Sequence, residues 1–74
     1  MTNVNVNRLK GKIVESGLSV GDLAMKIGIN RATLYRKIGE GGGTFLVREV
    51  NAITAALGLS VEEAMDIFFN HNVA

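Results

Sequence analysis

The apolar positions of this chain recur at helical rather than strand spacing. Val6, Leu9, Ile13 and Val14 share one stripe and predict a first helix over about 5–16, with Arg8 and Lys12 on its polar face. Strict alternation appears only in Val4-Asn5-Val6-Asn7, too short to define a strand. Gly17 stands where a left-handed residue would end that helix, a conformation glycine enters without a side-chain penalty. Ser19 with Asp22 three residues later is a capping-box signature. A second helix is therefore expected over about 20–27, burying Leu23, Ala24 and Ile27 and stopping at Gly28. Asn30 caps a third helix, 31–38, after so short a connection that the two helices must cross steeply.

Gly-Glu-Gly-Gly-Gly at 39–43 is expected to be a flexible loop, because each glycine costs about 1 kcal/mol relative to alanine inside a helix. Thr44 reopens helical structure. Phe45, Leu46, Val50, Ile53, Ala56 and Leu57 then carry a fourth helix of about 13 residues to Gly58. Ser60 caps a fifth, with Glu62 and Glu63 in its first turn and Val61, Ala64, Met65 and Phe68 as its inward stripe. The expectation is an all-α, five-helix single domain over 1–74, its tail at 70–74 fraying.

Composition narrows the chemistry. With 47% apolar and 20% charged residues the chain has too much to bury to stay disordered, yet no apolar run reaches the roughly 20 residues of a membrane-spanning helix. There is no cysteine, which removes disulfides, thiolate nucleophiles and cysteine metal sites. The start MTNVNVNRLK lacks the order of a secretory signal, and a cytoplasmic location is expected. His71 has neither cysteine nor a second histidine beside it and reads as a solvated residue; Glu62 and Glu63 are adjacent and cannot share a helical face for paired carboxylate chemistry. Gly41-Gly42-Gly43 is not followed by the Lys-Ser/Thr of a nucleotide-binding loop. No enzyme activity, metal or cofactor is expected.

The formal charge of +1 hides an asymmetry. Residues 1–38 hold seven basic against two acidic residues, a net +5, and residues 39–74 hold one basic against five acidic, a net −4. A basic face made by the first half could meet a polyanion.

The spacing within SVGDLAMKIGINRATLYRKI, residues 19–38, is more informative still. Ala24 puts a small residue where two helices would cross, Gly28 supplies the turn, and Leu23, Ile27, Ile29 and Leu34 fill the angle. This pattern resembles a helix-turn-helix, the DNA-binding unit whose second helix enters the major groove. Together with TFLVREVNAITAALGLSVEEAMDIFF, it is similar to the five-helix domain of phage repressor and Cro-type (lambda-repressor-like) regulators, with most likeness to the short regulators of phages of Gram-positive bacteria. The likeness covers about residues 7–69. Val20 departs from it, standing where the family commonly places a phosphate-contacting glutamine.

A wheel with Leu34 and Ile38 inward puts Ala32 and Arg36 opposite the core and Thr33 and Tyr35 on the flanks. Arg36 could donate two parallel N–H groups to a guanine, a contact worth about 1–3 kcal/mol of discrimination. The resemblance implies base contacts also from Arg31 and Ala32; Tyr35 could meet a base edge or equally seal a helix boundary. It implies phosphate contacts from Asn30, which could instead serve as a cap, and from Thr33. Lys37 and Lys26 are further candidates as point charges, and Thr44, as a cap of the fourth helix, with Arg48 one turn on. Ile67, Phe68 and Phe69 cannot all hide on one helical face, so this end is expected to contribute to a homodimer. The expected function is sequence-specific binding of a double-stranded DNA operator to regulate transcription, by two copies on half-sites about 34 Å apart. The alternative is a protein-interaction module of the same fold, an anti-repressor or modulator that occupies another regulator.

Overall fold

The structure is a computed structural model that describes residues 4–69; the expected tail at 70–74, with His71, lies outside the described residues. Five helices follow one another, α1 (Val6–Glu15), α2 (Val20–Ile27), α3 (Arg31–Gly39), α4 (Val47–Leu57) and α5 (Val61–Phe68), with no strand among the described residues. None of these helices is long and apolar enough to cross a membrane.

Local chemistry sets the helix starts. Asn5 Oδ1 accepts the Arg8 N–H, Ser19 and Asp22 close a reciprocal capping box, Asn30 Oδ1 accepts from Ala32 and Thr33, and Ser60 and Glu63 close a second box. The start of α4 differs from expectation. Thr44 does not cap it; the N-cap is Leu46, whose N–H donates to the Glu49 carboxylate at 2.9 Å, and the helix is correspondingly shorter.

The first four helices end alike. Gly17, Gly28, Gly41 and Gly58 all have positive φ, and around each a pair of backbone bonds closes a Schellman turn, as where Ile29 N–H reaches Ala24 C=O and Gly28 N–H reaches Met25 C=O. Leu18, Ile29 and Leu59, each just past its glycine, fold back onto the core. The same device corrects the reading of 39–43. Gly39 belongs to α3, and Gly41 and Gly42 donate to Ile38 and Lys37, so this stretch is a hydrogen-bonded helix stop rather than an open loop. Gly42 has φ +79°, and a Cβ there would lie 2.6 Å from that of Val4.

Every helix gives two residues to the apolar core: Leu9 and Ile13, Leu23 and Ala24, Leu34 and Ile38, Val50 and Ile53, Ile67 and Phe68. α2 packs on α3 and α4, and α1 on α5, where Asn5 N–H donates to Ile67 C=O at 2.7 Å. Phe45 meets Phe68 edge to face at 6.0 Å. Three apolar residues expected inside are outside. Val14 is 75% exposed because Ile13 takes the core position beside it, and Val61 and Met65 lie on the side of α5 next to the packed Ile67 and Phe68.

Candidate nucleic-acid interface

The surface of interest is built on α3. Leu34 and Ile38 anchor it from within, and Lys37 lies on the same side, three residues after Leu34 and one before Ile38. The Lys37 ammonium donates to Glu49 Oε1 at 2.6 Å, with both side chains nearly covered. Burial pushes the Glu49 carboxyl up, but the Leu46 N–H and Lys37 outweigh it and hold the group below the usual range. The Lys37 ammonium is thus engaged inside the protein, which opposes its expected use as a phosphate contact. It ties α3 to the start of α4, and its place on the apolar stripe was the signal for that role.

Facing outward are Arg31, Ala32, Tyr35 and Arg36, all exposed, with Thr33 half-buried. The Arg31 guanidinium sits over the Tyr35 ring, 5.7 Å from its centroid, and its stem runs against Gly21 of α2. Arg36 faces Glu40 at 3.4 Å, an exposed i, i+4 pair that α3 carries on the same surface. Glu40 also accepts from the Thr44 hydroxyl. Lys26 and Arg48 are exposed and have no acidic partner among the described residues.

Helix starts on this side differ in charge. At α2 the Ser19 backbone N–H, then its side chain, hold the Asp22 carboxyl below its ordinary range, with Arg31 adding its field. At α4 the Glu49 carboxylate sits in the first turn. Both ends thus carry their own anion, which opposes a phosphate on the N–H groups of either helix start, beside Thr44 included. The start of α3 has only the neutral Asn30 amide and no acid in its first turn. Asn30 Oδ1 is committed to the cap, leaving its NH₂ as the group able to donate outward.

Much of the expected basic excess is met inside the molecule. Lys12 pairs with Glu15 within α1 and with Glu63 of α5, Arg8 lies 3.9 Å from Asp66, and the last two contacts join α1 to α5. The Glu63 bond raises the Lys12 pKa, while Lys12 first and the Ser60 N–H second pull the Glu63 carboxyl down to about 2. The charge asymmetry of the sequence is thus partly the two sides of one seam.

Two apolar features remain uncovered. A groove of about 420 Å³ runs between α1, the start of α2 and α3, lined by Lys10, Val14, Leu18, Val20 and Tyr35 among others. Along α5 and its C-cap, Val61, Met65 and Phe69 form an exposed stripe at i, i+4, i+8. Ile67 and Phe68, expected at a dimer interface, are 0% and 1% exposed and belong to the core; only Phe69 of the three is exposed. Comparison with protein-family models, curated proteins and solved structures returns no match.

Proposed function

We propose that this chain binds double-stranded DNA through α3, as a helix-turn-helix regulator of the phage repressor and Cro type. The observation that carries this reading is the presentation of α3. Its outward residues Arg31, Ala32, Tyr35 and Arg36 offer guanidinium, methyl and phenol groups to base edges, and its N-terminal turn carries no acid. The turn Gly28–Asn30 and the buried Lys37–Glu49 pair hold that helix at a fixed angle to α2 and α4. Half-buried Thr33, the Asn30 amide, Lys26 and Arg48 supply backbone contacts at its margins. Two copies pair through the Val61, Met65 and Phe69 stripe, or only once on the operator.

Selection from a random pool of duplexes at moderate salt tests the reading. Wild type should enrich one motif, with half-sites about 34 Å apart if two copies bind, and Arg36→Ala should lose part of it. Failure of the wild type to enrich any sequence overturns sequence-specific DNA binding.

A second reading is a protein-interaction module of the same fold. The apolar groove beside Tyr35 and the internal pairing of Arg8 and Lys12 favour it. It predicts a partner held with shallow salt dependence, whereas DNA affinity falls as a steep power of salt concentration.

A further inference from the structure

Resting on the DNA reading above, we propose that Gly21 and Tyr35 form a seat for Arg31, that Arg31 is the guanine-reading side chain of α3, and that Tyr35 is its positioning residue. Arg31 and Arg36 carry the same group but are held differently. The Arg36 guanidinium faces the Glu40 carboxylate, so a base contact there must displace or share an acid. Arg31 has no ion pair or side-chain hydrogen bond among the described residues, so its N–H donors are unspent.

Two contacts nevertheless fix where those donors lie. The guanidinium carbon stands 5.7 Å from the Tyr35 ring centroid, within cation–π range. The stem lies on the backbone of α2 at Gly21, where a Cβ would come 3.1 Å from Arg31 Nε and 3.3 Å from Cδ. A methyl group at Gly21 would make the arginine stem give way by a few tenths of an ångström and loosen its contact with that surface. Asp22, next to Gly21, draws Arg31 by its field, while its carboxylate is already engaged by the Ser19 N–H. Tyr35 in turn lines the groove with Leu18, Val20 and Ile38, which gives the platform a footing independent of Arg31. A long side chain held in advance loses less freedom when it binds, so the seat should sharpen reading of a G·C pair under the first turn of α3.

The test has one arm without DNA and one with it. In the free protein, the Arg31 Nε–H proton should show an upfield ring-current shift that Tyr35→Phe keeps, Tyr35→Leu abolishes and Gly21→Ala reduces. In the duplex selection, Arg31→Ala should erase one G·C position, losing about 5- to 150-fold discrimination there. Tyr35→Leu should weaken that same position roughly two- to fivefold, with Tyr35→Phe close to wild type. An absent ring-current shift overturns the seat whatever the protein binds. A G·C position lost in Arg31→Ala but untouched in Tyr35→Leu overturns the positioning role and leaves DNA binding standing. A wild type that selects no motif overturns both the DNA reading and the role of Arg31.

Discussion

A lysine on the packed side of a helix is tolerated only if its charge is met, and for Lys37 Glu49 meets it. Glu49→Ala should leave an unpaired buried ammonium and free the Leu46 N–H, costing about 3–5 kcal/mol in urea unfolding. Lys37→Met combined with Glu49→Gln should recover most of that, since no charge is then left uncompensated. The two terminal phenylalanines should separate as sharply. Phe68→Ala removes a fully buried ring packed on Phe45 and should cost about 3–5 kcal/mol, whereas Phe69→Ala should barely change the urea midpoint and should instead weaken any self-association seen by sedimentation. Single residues also show what sequence patterning misses. The wheel placed Ala32 and Arg36 outside, where they are, but whether a cation is free depends on residues such as Glu40, Glu49 and Glu63 whose partners only folding selects.

At the level of elements, starts and stops were readable because capping acts over three or four residues. Ser19, Asn30 and Ser60 cap where the spacing expected, Asn5 caps α1 inside the span expected to be helical, and each Gly-apolar pair at 17–18, 28–29 and 58–59 ends a helix. The start of α4 was not readable, because its acceptor is Glu49, three residues inside the helix, whose role depends on the distant Lys37. The faces of α1 and α5 were read less well, since Val14 and Met65 satisfy a helical stripe that packing leaves outside. The glycines offer a measurable contrast. Gly28→Ala imposes left-handed strain into open space and should cost about 1–2 kcal/mol; Gly42→Ala adds the collision with Val4 and should cost more in the same urea titration. The α1–α5 seam should be acid-sensitive. The folded Glu63 carboxyl, near 2, lies below its usual 4.5, so in that window the unfolded chain binds more protons. Stability from this pair is complete above about pH 5 and is lost as pH falls through about 2. Glu63→Gln should flatten this limb in urea midpoints measured from pH 6 to 2.

For the whole molecule, the pairing of charges bears on how any polyanion would be held. Lys10, Lys26 and Arg48, like the base-reading Arg31, have no acidic partner among the described residues, and three released counterions imply a slope of log affinity against log salt of about −3 per bound copy. A slope near −7, as if all eight basic side chains took part, would mean that DNA pulls apart the Lys12–Glu63 and Lys37–Glu49 pairs. Anisotropy titrations of a labelled duplex over a salt series distinguish these slopes. The α1–α5 seam also bears on the order in which the chain folds. Each cap and each Schellman turn closes over a few residues, while Asn5 and Ile67 must find one another from nearly opposite ends of the described chain. Local closures come at little entropic cost and fast, so α2, α3 and the turns between them are suited to the folding nucleus. The docking of α1 on α5 would then come late, and Lys12 and Glu63 would act as a latch that governs how fast the molecule opens rather than how fast it forms.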